Sequence, residues 1–132
     1  MLKYMLDTKI AIYTLKDRPV KVREAFKQHT GEMCLSSISL GELIYGAEKS
    51  AQVERNLGVV QGFAARLTIE VFDAQAAMHF GQLRAELTSF GRVIRSYDMM
   101  IAGHARALGL ILVTNNGREF DRVPGLRVEN WA

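Results

Sequence analysis

This chain predicts an α/β fold built around a mainly parallel sheet. Three observations carry that reading. Short apolar β-type runs fall at about 3–6, 33–37, 68–72 and 110–114, with a last one at about 126–129. Apolar stripes of helical period fill the intervals between them. At 132 residues, with no repeat, low-complexity tract or Pro/Gly/Ser linker, the chain reads as one domain over 1–132.

The elements follow in order. KYML closes on Asp7, and the apolar run IAIY begins after Thr8 and Lys9. MCLSS is the second strand, and SLGELIYGAE opens a helix behind it. Val53, Leu57, Val60, Ala64 and Leu67 form the apolar stripe of a further helix. Asp73 is a candidate N-cap for another, whose stripe is Ala76, Phe80, Leu83, Leu87 and Phe90 and whose stop is Gly91. DMMIAGHARAL starts at Asp98 and ends at Gly109, ahead of the strand LILV. Strands alternating with helices pair in parallel through right-handed crossovers, with both sheet faces covered. Ligands in such sheets bind beyond the carboxyl ends of the strands.

Composition narrows the function classes. The apolar share of 48% and charged share of 23% are those of an ordinary globular protein. No apolar run approaches the roughly 18 residues of a membrane span, and MLKYMLDTK lacks a signal peptide's apolar core. Cys34, the only cysteine, excludes an internal disulfide and suits a reducing cytoplasm. A net charge of +3 permits a polyanionic partner such as RNA without requiring one.

Four carboxylates stand out by position. Asp7 and Glu119 follow strands, while Glu42 and Asp98 fall near helix starts, where the dipole favours anions. Each has an ordinary structural reading. Asp7 serves equally as a helix cap, and Ser39-Leu40-Gly41-Glu42 matches a capping box. Asp98 shares the inward face of Ile101, Ala102 and Ala105, where a carboxylate is costly without a partner. Glu119, in NNGREFDR, reads alone as a solvated loop acid. Brought together at one sheet end they would repel one another, and a bound dication would relieve that. An oxygen-only set suits Mg²⁺ or Mn²⁺ better than zinc.

Other chemistries find less support. His29, His79 and His104 lack metal-ligand spacing; His104 lies about 120° around the helix from Asp98, and His79 reads as an edge or core residue. No G-x-S-x-G, Walker A or G-x-G-x-x-G sequence occurs. A phospho-acceptor receiver domain would need paired acids before its acceptor and a late strand-end lysine, and neither is present.

Four stretches in matching order, MLKYMLDT, SS-x-S-x-GELIYGAEKS, YDMMIAGHAR and LILVTNNGREFDRV with a closing Trp, together resemble the VapC toxins. These are PIN-domain endoribonucleases of bacterial type II toxin–antitoxin modules. The resemblance covers essentially the whole chain. It implies a three-layer α/β/α PIN-like fold with a central, mainly parallel sheet of four to five strands. It also implies an acidic quartet of Asp7, Glu42, Asp98 and Glu119 that is both catalytic and metal-binding, for Mg²⁺ or Mn²⁺, with Thr8, Thr114 and Asn116 in support. The implied reaction is hydrolysis of RNA, leaving 5′-phosphate and 3′-hydroxyl ends. Enteric members, which cut initiator tRNA in the anticodon region, look most similar. The implied partners are a VapB-like antitoxin, a second copy in a homodimer, and a larger toxin–antitoxin complex.

Two departures from the family pattern bear on activity. Lys9 stands where such toxins usually carry Asn, and the approach to the third acid reads GRVIRSYD, placing Arg95 beside Asp98. Lys9 either pairs with an acid and weakens the centre or swings out to RNA phosphate. The alternative function is therefore a weakened PIN module that acts by binding its antitoxin. Arg92, Arg95, Arg106, Arg118 and Lys9 are candidate phosphate contacts, each also readable as a solvated charge.

Overall fold

The structure, a computed structural model, describes residues 1–16, 20–92, 94–115 and 117–131. In chain order the elements are β1 (Tyr4–Leu6), α1 (Thr8–Leu15), α2 (Val20–Gln28), β2 (Met33–Ser36), α3 (Ser37–Glu48) and α4 (Val53–Ala64). There follow β3 (Thr68–Glu70), α5 (Ala74–Ser89), α6 (Ser96–Leu108), β4 (Ile111–Val113), α7 (Gly117–Phe120) and β5 (Val128–Glu129). The sheet order is β3-β2-β1-β4-β5, and every pairing is parallel.

Side chains of successive strand residues point to opposite faces, and the core divides accordingly. Tyr4, Leu6, Met33 and Leu35 pack on one face beneath α1 to α4, with Ile10, Leu43 and Phe63 from those helices. Met5, Cys34 and Leu112 face the other way, against Leu83 and Leu87 of α5 and Ile101 and Ala105 of α6. Burial pushes the Cys34 thiol up to about 12, so it is an inert core group.

Local chemistry explains where the elements start and stop. Asp73 caps α5 by accepting from Ala76 N at 3.0 Å. Gly109 ends α6 in the left-handed conformation that favours glycine, at φ 68. Gly103 lets α6 lie directly on α5: a Cβ there would stand 2.7 Å from Phe80 N. His104 is buried, with Nδ1 2.9 Å from Ser36 Oγ, and burial lowers its basicity. Its ring also meets Phe72 edge-on, with centroids 5.5 Å apart.

Some boundaries differ from the sequence reading. α4 stops at Ala64, so Leu67 lies outside it, next to β3. Phe90 is the C-cap of α5 and is 67% exposed rather than part of the inward stripe. The Ser39 capping box does not form: α3 begins earlier, capped by Ser36, whose Oγ accepts from Ile38 N at 3.1 Å. Glu42 therefore sits in the second turn of α3 and is free for another role. Asp98 is the third residue of α6, not its first. Asn116 lies outside the described residues.

Candidate active site

The strand order places the site. From β1 the chain builds outward through β2 and β3, then crosses back to add β4 on the other side of β1. That reversal opens a crevice beyond the carboxyl ends of β1 and β4. Leu6 pairs with Leu35 and Val113, so the next residues along these three strands are Asp7, Ser36 and Thr114.

Asp7 is held by four contacts. Its N–H donates to Val113 O at 2.9 Å, while its O accepts from Ala11 N at 3.1 Å. Oδ1 caps α1 through Ile10 N at 2.8 Å, and Oδ2 accepts from Thr114 Oγ1 at 2.5 Å. The cap reading and the site reading are thus both realised by one side chain. Asp7 is 4% exposed, and burial holds its pKa above the ordinary range. The bonds from Thr114 and Ile10 and the charge of Lys9 oppose that shift, while Glu42 adds to it.

Glu42 reaches the same place from α3. Thr8 Oγ1 donates to Glu42 Oε1 at 2.6 Å and stands 3.1 Å from the buried Ser39 Oγ. Asp98 enters from the first turn of α6 and is half-buried. Its pKa is pushed up to about 6, first by burial and then by Glu119, with smaller contributions from Asp7 and Glu42 against the opposing Arg95. Glu119 lies on α7, and its Oε1 is 3.5 Å from Arg95 N, a long contact that brings it to the start of α6.

A cleft of about 190 Å³ joins Asp7, Glu42 and Asp98, with Thr8, Lys9 and Arg95 around them and Ile12 and Phe120 as apolar wall. Glu119 does not line this cleft, although its charge is felt by Asp98. Among the described residues, no group of His, Cys, Asp or Glu stands in a ready-made metal-ligand arrangement. The donor chemistry nonetheless fits a hard dication. The donors are all oxygen, and burial and mutual repulsion raise the pKa of Asp7 and Asp98, a cost that a bound dication would relieve. A roomier hollow bounded by Arg23, Lys27 and Arg66 adjoins Met33, at the other end of β2, and offers no carboxylate.

The remaining candidates separate clearly. Lys9 is exposed and, among the described residues, forms no ion pair. Arg95 borders the cleft, whereas Arg92 and Arg118 are exposed and do not line it. Arg106 is not free for RNA. Its guanidinium donates to His79 Nδ1, Pro124 O and Gln82 Oε1, tying α6 to α5 and to the C-terminal loop. The sequence offers Ser39 only as a capping-box residue and Ser36 only as part of the strand MCLSS; their inward roles depend on the phase of α3, which the true N-cap, Ser36, sets.

The model of the PIN domain matches residues 4–126. The chain is 58% identical to the tRNA(fMet)-specific endonuclease VapC of Shigella flexneri and 57% identical to that of Salmonella typhimurium, each over the full length of both chains. The chain belongs to the VapC family of PIN-domain proteins. A crystal structure of DNA-bound VapBC from Salmonella typhimurium superposes with a TM-score of 0.96, at 57% identity and complete coverage of both chains. The parallel five-stranded sheet and the crevice at β1 and β4 are therefore this family's PIN architecture.

Proposed function

We propose that this protein is the toxin of a type II toxin–antitoxin pair, a divalent-metal-dependent endoribonuclease whose substrate is initiator tRNA. The observation that carries the reading is the convergence of Asp7, Glu42 and Asp98 on one cleft at the sheet's switch point. The tRNA substrate is supported by the names of full-length relatives at 58% and 57% identity. The antitoxin partner is supported by the likeness to the VapBC complex. A homodimer, a larger complex with antitoxin and a cytoplasmic setting complete the reading. No helix among the described residues is long and apolar enough to cross a membrane.

Asp7 and Asp98 would hold Mg²⁺ or Mn²⁺, with Glu42 and Glu119 completing the acidic set. A bound dication supplies charge neutralisation and Lewis acidity at the scissile phosphate. The chain's own groups do the positioning. Thr114 and Ile10 N fix the two oxygens of Asp7, so its carboxylate meets substrate in one orientation. Thr8 holds Glu42 over the cleft, and the walls of Ile12 and Phe120 limit water around the acids. Arg95 offers a cation to a phosphate next to the scissile one.

Incubation of the purified protein with initiator tRNA tests this. The expected result is cleavage with Mg²⁺ or Mn²⁺ and none with EDTA, giving 5′-phosphate and 3′-hydroxyl ends. Asp7→Ala and Asp98→Ala should abolish it. Ends bearing 2′,3′-cyclic phosphate, or cleavage retained by either variant, refute the site.

A further inference from the structure

The hollow at the opening of β2, bordered by α1 and α2, has a volume of about 500 Å³, that of a small-molecule site. It shares no residue with the acidic cleft, and the length of β2, about 10 Å of strand, stands between the two. Three cations border it. Arg23 and Lys27 are spaced i, i+4 on α2 and so share a face, where like charges repel. Arg66 joins them from the chain between α4 and β3. Its guanidinium is seated on aromatic rings, with Cζ 5.5 Å from the Phe26 centroid and 5.9 Å from that of Phe63. Among the described residues, none of the three forms an ion pair with a carboxylate. Arg23 Nε is shut off from solvent and, among the same residues, meets no acceptor. That is unusual, because nearly all buried donors find a partner. The hydroxyls at the hollow are already engaged: Thr14 Oγ1 donates to Ile10 O at 3.0 Å, and Thr30 Oγ1 to Lys27 O at 2.8 Å. What the hollow presents is positive charge and guanidinium N–H.

We infer that this hollow is a phosphate-binding site. A guanidinium fork matches two phosphate oxygens at once, and a lysine adds a point charge beside it. A phosphate oxygen would give Arg23 Nε its acceptor and relieve the repulsion between Arg23 and Lys27. Three cations exceed the single charge of a phosphodiester, so the dianion of a terminal phosphomonoester is the better match. Leu15 and Met33 form an apolar wall against which the uncharged part of such a molecule can lie. The inference is independent of the nuclease reading, since it uses none of the acids and lies at the other end of the sheet.

Calorimetric titration tests it. Uridine 5′-monophosphate is added to the protein at neutral pH and low salt, in EDTA so that no metal bridges phosphate to the acids. Inorganic phosphate, uridine, the diester uridylyl-uridine and succinate are the comparisons. The monophosphate and inorganic phosphate should bind and uridine should not. Arg23→Gln and Arg66→Gln should each weaken binding about tenfold, with circular dichroism confirming that each variant is folded. Lys27→Glu, at an exposed position, places a carboxylate one turn from Arg23 and should abolish binding. Arg95→Gln, at the acidic cleft, should bind phosphate as the wild type does.

Tighter binding of the monophosphate than of the diester makes a free phosphomonoester the source of the phosphate. Equal binding of the two, lost in the same variants, makes it a nucleic-acid backbone. No measurable phosphate binding by the wild type overturns the inference, as does unchanged affinity in Lys27→Glu and in the folded arginine variants. Loss confined to Arg95→Gln also overturns it, by returning the anion to the acidic cleft. So does succinate bound as tightly as phosphate, which would make the hollow a seat for acidic side chains.

Discussion

At the scale of single residues, the centre is governed by burial and repulsion acting on Asp98 and Asp7. Asp98 has its pKa raised from 3.8 to about 6 by folding. The folded value lies above the unfolded one, so the metal-free native state holds more protons than the unfolded chain between those values. The contribution of this group to stability is therefore fullest at low pH and is lost as pH rises through about 6. Asp98→Asn should raise the Tm of EDTA-treated protein at pH 7 and flatten that pH dependence, as read by thermal melts from pH 4 to 8. Metal binding has the opposite sign, because the ion requires the ionised form: Mn²⁺ affinity should fall as pH drops below about 6 in calorimetric titrations. The Thr114 bond to Asp7 supplies a second test. Thr114→Val should cost about tenfold in cleavage rate, with Thr114→Ser retaining most of it, since the hydroxyl orients the carboxylate. Lys9 is exposed beside Asp7, and its charge favours the ionised carboxylate. A cation there also repels a dication, so Lys9→Asn should lower the Mg²⁺ or Mn²⁺ concentration needed for half-maximal cleavage, read by titrating cleavage with metal.

At the scale of elements, what was legible in the sequence and what was not have distinct physical causes. Strong local signals were read correctly: the Asp73 cap, the Gly109 stop and the apolar strands MCLS and ILV all stand where the pattern put them. Glu42 was harder. A capping box and a mid-helix site residue differ only in which serine caps α3, and Ser36, Ser37 and Ser39 are all competent. Tertiary contact decided between them, because Ser36 also meets His104, 68 residues away in sequence. Phe90 misled for a related reason. It continues the apolar period of α5, but the helix ends there and the ring turns to solvent. The join between α5 and α6 yields a prediction of its own. Gly103→Ala would press a methyl against the Phe80 backbone, which cannot give way as a side chain could. It should lower unfolding free energy by about 1–3 kcal/mol in urea titrations.

For the whole molecule, the parallel sheet is what converts scattered acids into one site. Asp7 and Asp98 are 91 positions apart in sequence, and they meet because β1 is central and α6 returns the chain to its far side. Convergence at a strand end was foreseeable from the alternation of strands and helices; the strand order was not, because several orders satisfy the same pattern. An ion bound at that convergence would link the protein's stability to metal concentration. Mn²⁺ at about a hundredfold over its Kd should stabilise the native state by about 2.7 kcal/mol, seen as a rise in Tm that Asp98→Asn abolishes.

The most direct measurement is anomalous diffraction from a crystal grown at neutral pH with Mn²⁺. The account predicts a manganese peak in the cleft, at about 2.1 Å from carboxylate oxygens of both Asp7 and Asp98. Ordered carboxylates with no peak between them, or manganese bound only elsewhere on the surface, would contradict it.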